Sequence, residues 1–196
     1  MTRTRITKTL LDAWLWSFKR DDGYEDFLRT LNREKSQPTQ AMLDGQNFEN
    51  LVNAVLNGEE LDEKHKWYRG VMEMADYLAG AQQQVTLFAE TEVDGQPFLL
   101  HGVLDYLRAG VIYDCKFSKN YHLNKYLDST QHPLYMALVP EARHFEYLSC
   151  DGTYMYAERY PRDIVPPIEQ SIKYFMDYLR KHDLWGIYEE KWKVNE

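Results

Sequence analysis

Apolar residues recur at three- and four-residue intervals in six segments of the chain, which is the spacing of one face of a helix. In the fifth segment Pro133 fits only a first helical turn, so we expect that helix to begin near Gln131. The predicted helices run from Ile6 to Phe18, Tyr24 to Leu31, Phe48 to Leu56, Asp62 to Gln84, Gln131 to Pro140 and Ile168 to His182.

Runs rich in β-branched and aromatic residues predict five strands. Glycine follows Asp94, Ala109 and Asp151 at boundaries between these runs, which indicates tight turns. The predicted strands run from Val85 to Val93, Pro97 to Leu107, Val111 to Phe117, Arg143 to Cys150 and Thr153 to Tyr160. We expect one α/β domain with a central mixed sheet flanked by helices. Residues 1–84 form its helical part, 85–160 the sheet with a helix, and 161–196 a last helix and a frayed, charged tail.

The turn at Ala109-Gly110 brings two acids together. An even-numbered loop centred there places Asp105 opposite Asp114 on the neighbouring strand. Opposed residues on antiparallel strands have Cβ atoms roughly 4.5 to 5.5 Å apart, where like charges repel unless a cation lies between them. Because side chains alternate along a strand, Lys116 shares the face of Asp114, and Cys115 points to the other face.

A pair of solvated acids with Lys116 as their salt-bridge partner is the simplest interpretation of this pattern. The strand around them is strongly apolar, however, because it contains Ile112, Tyr113 and Phe117. Charged groups are costly to place in such surroundings. The pattern therefore favours a functional site over a surface ion pair.

The order Gly102-x-x-Asp105 followed by Asp114-x-Lys116 resembles the metal-binding core of the PD-(D/E)XK nuclease superfamily. Downstream, Gln131-x-x-x-Tyr135 resembles the motif that follows this core in the RecB-type branch, which includes CRISPR-associated and phage recombination exonucleases. Upstream, Gly45-x-x-x-Glu49 resembles the helix start that supplies a further metal ligand in that branch. The resemblance implies a restriction-endonuclease-like core and a nuclease.

The resemblance also implies the chemistry of the site. One or two Mg²⁺ or Mn²⁺ ions, which prefer oxygen ligands, would activate water for attack on a phosphodiester. The implied ligands are Glu49, Asp105, Asp114 and the backbone carbonyl of Cys115. Lys116 would position that water or stabilise developing negative charge, while Gln131 and Tyr135 would hold the metal site or the scissile strand. Glu90 and Glu92 are candidates for an additional acid.

Net charge opposes a nucleic-acid partner, because the chain carries −8 and DNA affinity comes largely from Lys and Arg neutralising phosphates. The distribution of charge softens this objection. Basic residues concentrate between Arg3 and Lys35, and residues 115–127 contain no acid. Lys119, Tyr121 and Lys125 in the second segment interleave cations with an aromatic ring, as in surfaces that track phosphates and stack bases. A plain solvated loop is the alternative.

Bulk properties exclude several classes of protein. The two cysteines, Cys115 and Cys150, are too few for a disulfide framework, a four-cysteine zinc site or the iron-sulfur cluster of several RecB-type nucleases. No apolar run approaches the roughly 18 residues of a membrane span, and the start lacks the pattern of a signal peptide. We expect a cytoplasmic protein without a membrane partner.

The predicted activity is a metal-dependent deoxyribonuclease, in particular an exonuclease of DNA recombination, repair or phage DNA processing. Its partner would be single-stranded DNA or a duplex end, with a homo-oligomer or a recombination protein as a further partner. One alternative is a catalytically inert nucleic-acid- or protein-binding module on the same fold. Another is a metal-dependent enzyme for a small phosphorylated substrate, although the sequence has no glycine-rich phosphate loop. The sequence does not distinguish DNA from RNA or exonuclease from endonuclease.

Overall fold

The computed structural model describes residues 3–194. The strands in this range are β1 Thr4–Thr7, β2 Gln82–Val93, β3 Gln96–Arg108, β4 Val111–Phe117, β5 His144–Cys150 and β6 Met155–Pro161. The α-helices are α1 Lys8–Trp16, α2 Gly23–Leu31, α3 Gln40–Leu56, α4 Tyr68–Leu78, α5 Gln131–Leu138, α6 Ile168–Lys181 and α7 Trp185–Lys191, with a 3-10 helix at Arg162–Ile164. None of these helices is long and apolar enough to cross a membrane.

The six strands form one mixed sheet in the order β1-β3-β4-β5-β6, with β2 along the other edge of β3. The β1–β3 and β4–β5 pairs are parallel, and the remaining pairs are antiparallel. On one edge of β3, β1 pairs with Phe98 to His101 and β4 pairs with Tyr106 to Arg108. The ladders of the described strands leave residues 102–105 unpaired on that edge. This gap is where the candidate site lies.

Helices cover the two faces of the sheet and bury two hydrophobic cores. The first core joins the sheet to α1, α2, α5, α6 and α7, and the second joins it to α3 and α4. Side chains of β4 alternate between them, since Ile112 lies in the first core and Tyr113 and Cys115 in the second. The expected α/β architecture, a mixed sheet flanked by helices, is confirmed.

The strands β2 and β3 change face together at Gln84 and Asp105. Leu104 packs in the first core but Tyr106, two residues later, packs in the second. Val85 of β2 likewise packs against the first core, whereas Ala81, the residue before β2, packs against the second. The φ angle of Gln84 is 50°, in the left-handed region, and the ladder has no pair between Gln84 and Asp105. The change of face brings Asp105 to the side of the sheet on which Asp114 lies.

Two predicted helices include residues that are not helical. The segment from Ile6 to Phe18 does not begin as a helix, because Thr4–Thr7 pairs with β3 as a strand and Thr7 then caps α1 by accepting a hydrogen bond from the Leu10 N–H at 3.3 Å. The segment from Asp62 to Gln84 holds only α4, because Gly80 adopts φ 77° and ends the helical path before β2.

The tail and the last turn also differ from expectation. The tail expected to fray from Glu189 is helical as far as Lys191, as the end of α7, and the indole N–H of Trp192 donates to the Leu31 carbonyl at 2.8 Å. Asn195 and Glu196 lie outside the described residues. The Asp151-Gly152 turn is a four-residue loop, because Cys150 pairs with Met155. In that loop the Asp151 carboxylate accepts two backbone N–H groups at 2.8 Å each, which lowers its pKa. The side-chain bonds of Asp151 thus favour a longer loop than the sequence suggested.

Candidate functional site

The strands β3 and β4 separate at the two acids. Ala109 and Gly110, with φ angles of 49° and 75°, form the two-residue turn, and the ladder then ends at the pair Tyr106–Tyr113. Beyond it, the backbone N–H of Cys115 donates to Oδ2 of Asp105 at 3.0 Å. A side chain therefore takes the place of a strand partner, and the carboxylates of residues 105 and 114 meet at the end of the ladder.

Asp114 is buried and holds the centre of the site, with 1% of its surface exposed. Its Oδ1 accepts a hydrogen bond from the Gln131 side-chain amide, which α5 presents from the first turn. Its Oδ2 lies 2.5 Å from the Lys116 ammonium. That oxygen is buried and accepts no well-formed hydrogen bond within residues 3–194. One oxygen of Asp114 is thus fixed by an amide, while the other faces only an ammonium.

Glu49 and Asp105 add negative charge beside Asp114. Burial, followed by the charge of Asp114, raises the pKa of Asp105 well above its usual range. Burial and the same charge also raise the pKa of Glu49, whose Oε1 accepts a hydrogen bond from the Gln84 amide at 2.8 Å. Three carboxyl groups therefore interact around one ammonium, and additional positive charge would favour their ionised forms.

Lys116 stays charged in this cluster. Burial acts to lower the pKa of its ammonium, but the carboxylates of Asp114 and Asp105 outweigh burial and raise it. Lys116 is therefore a stable cation near neutral pH and not a base. The neighbouring Cys115 thiol is neutral, because burial raises its pKa well above the usual range. Cys115 is therefore a thiol and not a thiolate near neutral pH.

Gly102 allows α5 to approach the sheet closely. A Cβ atom at this position would lie 2.7 Å from Leu138 Cδ1 and 2.8 Å from Tyr135 Cε1. The Tyr135 hydroxyl donates to the Val103 carbonyl at 2.9 Å, in the gap where β3 has no strand partner. Tyr135 therefore anchors α5 to β3, and this contact holds Gln131, one turn away, against Asp114.

Gly45 has no comparable role. It lies inside α3, a Cβ atom there would have nothing within 4 Å, and the helix begins earlier, at Gln40. The cap is Thr39, whose side chain accepts a hydrogen bond from the Met42 N–H at 3.3 Å. The expected helix start at Gly45 is wrong. Glu49, four residues on, nevertheless reaches the acids from this helix.

An open cleft lies between α1 and the loop that follows β4. Its lining includes Lys8, Trp16, Lys19, Lys116, Lys125 and Gln131. Trp16 is 53% exposed, whereas Trp14, two residues before it, is buried. The acids Asp12 and Asp128 also line the cleft. The cleft therefore combines four lysines, two acids and an exposed indole with Lys116 and Gln131, which contact Asp114.

The three predicted nucleic-acid-binding residues have different surroundings. Lys125 lines the cleft, and its ammonium donates to the Asn120 carbonyl at 2.8 Å. Lys119 is exposed on the same loop. Tyr121 is not part of the cleft lining, because its hydroxyl donates to Glu158 at 3.0 Å and its ring stacks on Tyr156 with centroids 4.8 Å apart. Burial and the bond to Glu158 raise the pKa of Tyr121 to about 12.

The additional acids considered on β2 are not brought to the site. Glu90 lies opposite Leu99 and forms an ion pair with Arg3, and Glu92 lies opposite Pro97. The residue of β2 that reaches the acids is Gln84, through Glu49. The turn at Asp94-Gly95 contained the signal for it, since mirror pairing about that turn places Gln84 opposite Asp105.

Comparisons with known proteins bear on the fold alone. No protein-family model matches the chain, and no curated protein matches it in sequence. The crystal structure of SSO0001 is similar in three dimensions, with a TM-score of 0.55 and 13% identity over 92% of this chain and 78% of that one. At that identity the similarity extends to the α/β architecture and not to activity.

The donor set of the acid cluster fits a hard divalent cation. Carboxylate oxygens are the preferred ligands of Mg²⁺, and the buried Oδ2 atom of Asp114 has no hydrogen-bond partner in the described part of the chain, although the Lys116 ammonium lies 2.5 Å away. In residues 3–194, however, no three His, Cys, Asp or Glu side chains are grouped as a metal site. Mg²⁺ commonly uses one or two carboxylates and takes its other ligands from water and substrate phosphates. Asp105 and Asp114 meet that smaller requirement.

Proposed function

We propose that the protein is a divalent-metal-dependent deoxyribonuclease that hydrolyses phosphodiester bonds, as an exonuclease of DNA recombination, repair or phage DNA processing. One observation carries the proposal. Asp105 and Asp114 lie together where β4 leaves β3, with Lys116 and Gln131 in contact with Asp114. Such crowding of buried acids is unfavourable in a purely structural role and favourable for holding a cation.

Each residue of the cluster has a distinct part in this chemistry. A bound divalent ion would lower the pKa of a water molecule and neutralise charge on the phosphate. Asp105 and Asp114 would hold it, with Gln131 fixing one oxygen of Asp114 so that the other has no competing donor except Lys116. Glu49 is held beside them by Gln84.

Lys116 acts by charge in this proposal. Since the two acids keep its ammonium protonated, it stabilises the negative charge that develops on the phosphate oxygens during attack. Its side chain is 26% exposed and it also lines the cleft, so a strand lying in the cleft meets it. The cleft lysines, including Lys125 of the predicted binding set, would contact the phosphates of that strand.

A catalytically inert nucleic-acid- or protein-binding module is the second candidate. The net charge of −8 and the lack of a three-residue metal group in the described chain favour it. On this alternative the acids would be retained without turnover. Cleavage and binding therefore have to be measured separately.

The deciding experiment incubates the purified protein with end-labelled and internally labelled DNA, single-stranded and duplex, with RNA as a parallel substrate. Reactions contain Mg²⁺, Mn²⁺ or a chelator. We expect DNA cleavage with either ion and none in chelator, and loss of cleavage in Lys116→Ala. The matched control is Lys64→Ala, which removes an exposed lysine outside the site. Metal-supported binding of DNA without any cleavage would identify the inert module instead.

A further inference from the structure

A second recess lies beside the cleft, and Lys8 lines both. Three permanent cations from three different parts of the chain line this recess: Arg5 of β1, Lys8 of α1 and Arg33, which follows α2. His101 of β3 also lines it, and the lining residues within the described chain include no carboxylate. Clustered cations without an acid are notable in a chain whose net charge is −8.

Ion pairing does not account for this cluster. Among the described residues, an acid lies near just one of the three cations, since Lys8 is 3.3 Å from Asp12, one turn later in α1. Arg33 donates to the Lys191 carbonyl at 3.3 Å and packs over the Trp192 ring at 5.1 Å. The Nε atom of Arg5 is buried and has no hydrogen-bond partner in the part of the chain that the structure describes. Two guanidinium groups thus lack a carboxylate counter-charge within residues 3–194.

Neighbouring groups add to the positive potential of the recess. His101 adds no charge near neutral pH, because burial and then the charge of Arg5 lower its pKa. The rim includes Thr7, Lys8 and Thr9, the first residues of α1 and its cap. The first backbone N–H groups of a helix lack intrahelical partners and carry the positive end of the helix dipole. These groups and the guanidinium donors suit a small anion with several acceptor oxygens.

The recess adjoins the acid cluster. Gly102, Val103 and Tyr135 line it, at the gap in the sheet between β1 and β4. Asp105 follows Val103 by two residues, and Tyr135 lies one helical turn from Gln131. A strand in the cleft that passes the acids would therefore enter the recess next.

We infer that this recess binds a phosphate group of the substrate, as a terminal phosphomonoester or as a phosphodiester within the strand. Arginine suits this role, since its planar donors match phosphate oxygens bidentately. The identity of the substrate rests on the proposed nuclease function, whereas the affinity for phosphate rests on the recess itself. The site thus fixes the strand beside the scissile bond.

The test compares two double variants of the full chain. Arg5→Gln with Arg33→Gln removes both guanidinium groups from the recess. Arg20→Gln with Arg29→Gln makes the same change of charge at exposed arginines that pair with Asp22 and Asp26 outside it. Thermal unfolding with inorganic phosphate reports the site directly. Binding of oligonucleotides with 5′-phosphate, 3′-phosphate or hydroxyl ends, in an Asp114→Asn background, reports its use by substrate.

We expect phosphate to raise the melting temperature of the parent and of the control, but not of the recess variant. Oligonucleotide affinity should fall about tenfold in the recess variant, and the log-log salt slope should flatten by about 0.7 for one lost phosphate contact on a single strand. Dependence on one terminal phosphate identifies a phosphomonoester. Equal affinity for all ends identifies a phosphodiester. Arg5→Lys with Arg33→Lys retains the charge and should restore part of the affinity if the fold is intact.

Equal responses of the recess and control variants to phosphate and to oligonucleotides would overturn the inference, whether or not DNA is cleaved. If the parent protein cleaves no DNA and the recess variant loses phosphate binding, the result would support the anion site and contradict the nuclease proposal. The inference also fails if the parent protein does not bind phosphate and binds every oligonucleotide with the same affinity as the recess variant.

Discussion

Two acids in adjacent strands, Asp114 of β4 and Glu146 of β5, are each 1% exposed and have opposite surroundings. Glu146 is fully partnered. Its Oε2 accepts a hydrogen bond from the Tyr77 hydroxyl at 2.9 Å, and its Oε1 accepts one from Arg159 at 2.6 Å and lies 3.1 Å from His144. Every oxygen of this carboxylate has a donor, and a guanidinium balances its charge.

Asp114 has fewer donors and more negative neighbours. One oxygen of Asp114 accepts a hydrogen bond from Gln131, and the other is ion-paired with Lys116. The neighbouring carboxyl groups of Asp105 and Glu49 interact unfavourably with the charge of Asp114. A buried carboxylate that only supports the fold is expected to have the partners of Glu146, because unpaired burial is costly. The difference between the two acids teaches that burial does not distinguish a structural acid from a functional one. The distinction lies in how many hydrogen-bond donors surround the carboxylate and in the sign of the neighbouring charges.

The largest difference between the two acids should appear in activity. Asp114→Asn should reduce metal-dependent DNA cleavage by about a thousandfold or more, since it removes a charged oxygen ligand and one partner of Lys116. Its free energy of unfolding in chelator should equal or exceed that of the wild type, because repulsion with Asp105 is relieved. Cleavage assays and denaturant titrations test both statements, and an active Asp114→Asn protein would contradict the assignment.

A divalent ion should distinguish the acids in stability. Binding to the folded state alone stabilises by RT ln(1 + [L]/Kd), about 2.7 kcal/mol at one hundred times Kd. Mn²⁺ should therefore raise the melting temperature of the wild type and of Glu146→Gln, but not of Asp114→Asn. A shift of the same size in all three proteins would place the ion elsewhere.

Glu146 should matter for stability alone. Glu146→Gln should lower the free energy of unfolding by about 1 to 3 kcal/mol, because it removes a buried charge-assisted bond. The Arg159 side chain is 59% exposed, so its charge returns to water and the loss stays in this range. Cleavage measured well below the melting temperature should be unchanged. If Glu146→Gln lost as much cleavage activity as Asp114→Asn, the distinction between the two acids would be wrong.

The contrast extends to the two glycines of the resembling motifs. Gly102→Ala should destabilise by about 1 to 3 kcal/mol, because its Cβ would overlap Tyr135 and Leu138 of α5. It should also weaken cleavage, since α5 carries Gln131. Denaturant titration and a cleavage assay of the same preparation measure both effects, and an unchanged stability would refute the close approach.

Gly45 should give the smallest effect and the opposite sign. Gly45→Ala in the interior of α3 should stabilise by about 0.5 to 1 kcal/mol, since alanine favours the helix and meets nothing within 4 Å. Cleavage should be retained. A clear loss of stability would show that the glycine of Gly45-x-x-x-Glu49 has a steric role after all.

The parts of the fold that local pattern determines were predicted well. The strand Val111–Phe117 was predicted with its observed bounds, and the turn at Ala109-Gly110 sets the expected register as far as Tyr106–Tyr113. Asp105 and Asp114 do not form the expected strand pair, because the ladder ends before them. The strand bounds and the register both depend on strand alternation and on residues near in sequence. The contact of Gln131 with Asp114 agrees with the role that the resemblance implied for Gln131. The apolar periodicity predicted only the helix that carries this residue.

The parts that depend on distant residues were not predicted. Thr4–Thr7 becomes a strand because β3 pairs with it some ninety residues later, and its own pattern is equally that of a helix. Tyr121 was expected at the nucleic-acid surface, but Glu158 and Tyr156 of β6 hold its side chain. Neither partner is adjacent in sequence, so a single-sequence pattern contains no signal for the contact.

The change of face at Gln84 and Asp105 has a consequence for cooperativity. Most of the β2–β3 hairpin belongs to the core under α5 and α6, and its open end, with Tyr106, belongs to the core under α3 and α4. Both cores therefore share β2 and β3, and separate opening of either core would break pairs between these two strands. We therefore expect Leu100 and Tyr106 to lose amide protection against hydrogen exchange in a single global event, as members of one folding unit and not of two.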